Sequence, residues 1–147
     1  MIGLREQGAH VRAYFPLFRI NYRDGKLVAD GDVQPTPRSV KYRLRITYQV
    51  GDFPRVHVTS PKLVPREPDG ALPHVYSGER LCLYLPGNGE WSRHKSIAMT
   101  IIPWAIEWLF HYELWHLTGQ WSGGGVEPNG IKRDEAPSSS ANSDRTT

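Results

Sequence analysis

The sequence predicts an α+β fold: a four-stranded antiparallel meander, preceded by a short N-terminal helix and covered by a major C-terminal helix packed on it. Three observations lead there. Residues 40–48 alternate, with Val40, Tyr42, Leu44, Ile46 and Tyr48 set between Lys41, Arg43, Arg45 and Thr47, as in a strand buried on one face. Turn signals at Asp24-Gly25 and Gly51-Asp52 separate strand-forming runs. The stretch from Ile101 to Leu117 is apolar on most sides of a 3.6-residue period, so it must lie against the sheet.

The elements follow in order. Residues 2–13 predict a short, poorly capped helix ending before Pro16, weakened by Gly3 and Gly8. Leu17–Tyr22 and Lys26–Asp30 predict two strands about the Asp-Gly turn, and Pro35-Thr36-Pro37 marks the next reversal. Val40–Tyr48 is the third strand and Arg55–Thr59 a shorter fourth. Pro61 to Tyr84, with Pro61, Pro65, Pro68 and Pro73, reads as a long irregular loop, a length usually tied to function. Pro86-Gly87-Asn88-Gly89 forms a further turn, and helix is expected from near Lys95, with Pro103 tolerated in its first turn and Gly119 as its stop. Residues 1–120 make one domain. Residues 121–147, rich in Gly, Ser, Pro and charge, have almost nothing to bury and read as a flexible tail.

Composition excludes several function classes. The formal net charge is +3, but Lys and Arg are scattered, without the cluster that marks a nucleic-acid footprint. The longest apolar stretch is broken by Pro103, Glu107, His111, Glu113 and His116, so no membrane span is expected. A single cysteine forbids an intramolecular disulfide and any multi-cysteine zinc site, and suggests a reducing cytoplasm. His111 and His116 sit about 140° apart on a helix, against the four-residue spacing a zinc pair needs. The glycines at 123–125 lack the Lys-Ser/Thr of a phosphate loop and read as a linker. His57 is expected on the solvent face of its strand, and Trp104, Trp108 and Trp115 in the core. Neither a cofactor nor a metal is expected.

Cys82 is the chemical candidate. It follows the proline-rich loop, and in an extended segment Arg80 projects to the same side, where its charge would stabilise a thiolate. Leu81 and Leu83 point the other way as anchors.

Motif order adds to this. Tyr48–Thr59, YQVGDFPRVHVT, resembles the strand-turn-strand of ubiquitin-conjugating enzymes, where a tyrosine- and proline-rich turn leads into a Pro-x-Val-x-Phe-x-Thr strand. That family continues with His-Pro-Asn, a spacer containing glycine, an apolar residue and Cys-Leu. Here Leu72-Pro73-His74-Val75-Tyr76 leads through Gly78 to Leu81-Cys82-Leu83, with eight residues from His74 to Cys82, as is common in the family. Trp91 fills the slot of the tryptophan that precedes the family's next helix. The resemblance covers residues 15–118. There are departures: His74 stands for the asparagine, Leu72 for the histidine and Tyr84 for a frequent acidic residue, while the first helix is short and the C-terminal helices are reduced. The runs Leu81–Tyr84 and Glu90-Trp91, with the tryptophan-rich helix followed by Trp121-Ser122-Gly123-Gly124-Gly125, are similar to the divergent bacterial branch found in CBASS antiphage operons beside a cyclic-oligonucleotide synthase, a CD-NTase.

The resemblance implies a transferase in which Cys82 takes an activated C-terminal carboxyl group as a thioester and yields it to an amine. His74 would donate to the oxyanion, take the amine's proton, or only brace the loop. Pro73, Tyr76, Arg80 and Trp91 would support the site. The implied partner is a protein with a free C-terminus, such as the CD-NTase, with a separate activating enzyme supplying adenylation. Two alternatives keep the fold: an inactive binding module that docks a partner C-terminus, motivated by the altered tripeptide, and a cysteine hydrolase that removes conjugates with His74 as base. Hydrolases usually draw such pairs from distant segments.

Overall fold

A computed structural model describes residues 1–85 and 87–123; Pro86 and residues 124–147, hence nearly all of the expected flexible tail, lie outside the described residues. The element order is α1 (Leu4–Tyr14), β1 (Arg19–Arg23), β2 (Lys26–Val33), β3 (Tyr42–Tyr48), β4 (Arg55–Ser60), β5 (Val75–Tyr76), a 3-10 turn (Ser77–Glu79), β6 (Arg80–Leu81) and α2 (Ile101–Thr118). Strands β1-β2-β3-β4 form one antiparallel sheet in sequence order, as the alternation and turns predict.

The sheet is one-sided. Along β3 the residues alternate between buried and open, with Tyr42, Leu44, Ile46 and Tyr48 inside. Its basic face meets acidic partners across the ladder: Arg45 faces Asp30 with a 2.7 Å ion pair, and Arg43 faces Asp32 at 3.1 Å. The arginines of β3 are therefore neutralised within the sheet. Val40 falls short of the strand and is exposed.

Helix α2 lies across the inner face, burying Ile101, Ile102, Ala105, Trp108, Leu109, Tyr112 and Trp115 with Leu27, Ala29 and the β3 residues. Gly119, at φ 84, ends it in the left-handed conformation, its N–H bonded to the Trp115 carbonyl. The helix starts at Ile101 rather than near Lys95; residues 95–100 form turns instead. The cause is tertiary. Gln7 of α1, fully buried, donates from Nε2 to the Lys95 carbonyl at 2.9 Å and accepts the Ile97 N–H at Oε1 at 2.8 Å. Helix α1 has no side-chain cap at Gly3, and at Gly8 the Tyr22 hydroxyl packs so close that a Cβ there would have to displace it.

The long loop is less irregular than expected. Its end folds into a small antiparallel pair, with Val75 opposite Leu81 and Tyr76 opposite Arg80. The pair lies beside β4 and carries the chain to Cys82.

Candidate functional site

Cys82 directly follows β6 and is half-buried. Its backbone N–H donates to the His74 carbonyl at 3.0 Å, and the Trp108 indole N–H of α2 donates to the same oxygen at 3.0 Å. That one carbonyl ties the cysteine segment to the helix. His74 adopts φ 51, a left-handed conformation that costs a non-glycine residue about 1 kcal/mol. The bend it makes turns its carbonyl toward both donors. Its imidazole, 5 % exposed, stacks on the Trp121 indole with centroids 5.0 Å apart.

Tyr76 links two predicted site residues. The Cys82 thiol donates to the Tyr76 hydroxyl at 3.6 Å, and the Arg80 guanidinium lies 4.3 Å from the centroid of the Tyr76 ring. Arg80 and the sulfur are thus joined through the phenol. Burial, together with Cys82, pushes the Tyr76 phenol up to about 12, with Arg80 opposing. A phenol that stays protonated can donate to a sulfur anion or to an oxygen that gains charge beside it.

Pro73 and Trp91 lie in the interior. Pro73 is fully buried. Trp91 donates from its indole N–H to the Thr100 hydroxyl at 3.0 Å and packs edge-on to Tyr48, with centroids 5.5 Å apart. Leu72, in the place of the family's histidine, is buried. Tyr84, in the place of the acidic residue, packs on Phe53, Trp91 and Trp104. Burial raises its phenol well above the ordinary range, so no charge replaces the missing carboxylate.

A cleft of about 660 Å³ opens beside the sulfur. It is lined by His74 and residues 82–85 of the cysteine segment, by Trp104, Glu107, Trp108 and His111 of α2, and by Asn88, Glu90, Lys95, Trp121 and Gly123. Three expectations change here. Trp121, assigned above to the tail, is 8 % exposed and packs on His74, Trp108 and His111, so the folded body includes it. Gly123 also belongs to the wall, where a Cβ would crowd Trp121 and His111; Gly124 and Gly125 lie outside the described residues. Trp104 is half-buried and lines the cleft rather than joining the core with Trp108 and Trp115.

The histidines of α2 are dispersed. His111 Nδ1 meets the Ser122 hydroxyl at 3.0 Å, and His116 Nε2 meets the Val64 carbonyl at 2.9 Å. Glu113 accepts from the Ser39 and Tyr42 hydroxyls, each at 2.7 Å. His57 is half-buried rather than solvated. Burial, with Arg80 and Arg55 nearby, holds its pKa below the ordinary histidine value.

Residues 7–128 match the model of a family described as E2-CBASS, Type II CBASS E2 protein. The chain belongs to that family. The match takes in most of α1, the sheet, α2, His74, Cys82 and Trp121. Comparison with curated proteins finds no match. Among the described residues of this CBASS E2 protein, no helix is long and apolar enough to cross a membrane.

The sequence singled out Cys82, His74, Pro73, Tyr76, Arg80 and Trp91 but did not place Gln7, Lys95, Glu107, His111 or Trp121 beside them. Only Trp121 carried a signal, as a large aromatic residue opening an otherwise polar segment.

Proposed function

We propose that this protein is the acyl carrier of its CBASS system: Cys82 accepts the C-terminal carboxyl group of a partner protein as a thioester and delivers it to an amine. The observation that carries this reading is a half-buried cysteine on the wall of a cleft whose volume falls among those of ligand-binding sites. In the first step the Cys82 thiolate attacks an activated carbonyl carbon, and the activating group leaves. In the second an amine attacks the thioester, and the C–S bond breaks with its electron pair on sulfur. The Tyr76 phenol, hydrogen-bonded to the thiol, is a donor to the thiolate or to the oxyanion. His74 stabilises the oxyanion or takes the amine's proton, with its stacking on Trp121 fixing the ring. The partner is the operon's CD-NTase, a separate enzyme activates its carboxyl group, and the reaction takes place in the cytoplasm.

Non-reducing gels of the protein purified with its operon partners test this. Wild type gives a slower band that collapses on adding thiol, and Cys82→Ala gives none. Conjugation that persists in Cys82→Ala overturns the proposal. A partner that copurifies without a thiol-sensitive band points to a binding module.

A further inference from the structure

We infer that Lys95 is an acceptor for the acyl group carried on Cys82, making the cleft a site of self-modification. This rests on the acyl-carrier reading above. Of the lysines among the described residues, Lys26, Lys41, Lys62 and Lys95, only Lys95 lines the cleft that holds Cys82. Lys26 lies at the first hairpin, Lys41 just before β3 and Lys62 just after β4.

Lys95 is held at its backbone and at its ammonium. Its N–H donates to the Ser92 carbonyl at 2.9 Å, and its own carbonyl accepts from the buried Gln7 amide. Its ammonium donates to the Glu90 carbonyl at 2.9 Å. Next to it, the Ser96 hydroxyl meets His10 Nδ1 at 3.0 Å, so α1 grips the segment twice. A nucleophile fixed on the wall of the cleft that holds an acyl donor reacts at a high effective concentration, whereas a freely moving lysine does not.

The chemistry closes without a further reagent. The ammonium gives its proton to water or to a basic group of the cleft, where the side chains of Glu107 and His111 are at hand. The neutral amine then attacks the thioester carbonyl. The N–C bond forms, the C–S bond breaks and the electron pair leaves on the Cys82 sulfur. The amine's second proton ends on the thiolate. The products are an isopeptide on Lys95 and a restored thiol, so the acyl group passes from a labile to a stable linkage on the same chain.

The test uses the full chain and a small probe, the thioester of acetylglycine with 2-mercaptoethanesulfonate, followed by intact mass and peptide mapping. A thiol-labile adduct on Cys82 should form first, followed by a thiol-resistant adduct on Lys95 at least about tenfold above that on any other lysine. Lys95→Arg keeps the labile adduct and loses the stable one; Cys82→Ala loses both. A labile Cys82 adduct with no stable product, or with a stable product on other lysines, overturns the inference and leaves the acyl carrier standing. Lys95 acylation undiminished in Cys82→Ala overturns transfer through sulfur. Failure of the labile adduct to form contradicts both readings.

Discussion

The Trp121 indole lies on the His74 imidazole with ring planes 29° from parallel, so the chain leaving α2 returns to the bend that precedes Cys82. The same indole packs on Trp108, whose N–H holds the His74 carbonyl. Trp121→Ala should therefore cost about 3 kcal/mol in urea unfolding, the range for a buried aromatic residue. It should also lower the rate at which Cys82 acquires an acyl group from the small thioester. Trp121→Phe should recover much of both. Unchanged stability and unchanged reactivity in the alanine variant would separate Trp121 from the site.

Gln7 joins α1 to the segment before α2 through both ends of its amide. Leucine at this position is similar in size but leaves the Lys95 carbonyl and the Ile97 N–H without that partner. Gln7→Leu should lower stability by about 3 kcal/mol, since each buried orphan group costs about 1–3 kcal/mol. The urea midpoint of the full chain measures it. A midpoint within experimental scatter of wild type would show that the clamp contributes nothing.

Tyr48 is a counter-case. It is fully buried against Trp91, and its hydroxyl has no hydrogen-bond partner among the described residues. Burial accordingly raises its phenol pKa. Tyr48→Phe removes an oxygen that gains nothing from the fold, so stability should hold or rise by about 1 kcal/mol. Thermal unfolding gives the sign, and a loss above 1 kcal/mol would reveal a bond to that oxygen.

His57 gives a pH dependence. Its folded pKa lies below the ordinary value through burial first, then Arg80 and Arg55. The unfolded chain therefore takes up this proton at a higher pH, near 6.5, than the folded chain does. The penalty is absent above that pH, and stability falls as the pH drops below it. His57→Gln should flatten this part of the profile between about pH 5 and 7 in urea midpoints. Parallel profiles for variant and wild type would remove His57 as its source.

The four strands were legible because one buried face writes a period of two, as in Tyr42, Leu44, Ile46 and Tyr48. The start of α2 was not legible. Lys95 to Thr100 carries helix-compatible residues, and what withholds them from the helix includes a glutamine 88 residues earlier in the chain. Cys82 stood out as the one thiol within a spaced motif, but its cleft did not. One face of α2 with Trp104, Glu107 and His111 meets Lys95 and Trp121 there, and no local pattern announces that meeting. Arg80 was read as projecting to the side of Cys82. The structure adds the Tyr76 ring against its guanidinium, because residues 76 and 80 face each other across the β5–β6 pair.

The most direct measurement is the intact mass of Cys82→Ser, purified with its operon partners and compared with wild type isolated without reductant. An ester to serine forms by the same attack yet resists thiols. The account predicts a partner adduct on both proteins, released from wild type by dithiothreitol and from the serine variant only by alkali. A bare mass for both, in cells where the partner is nonetheless conjugated, contradicts it.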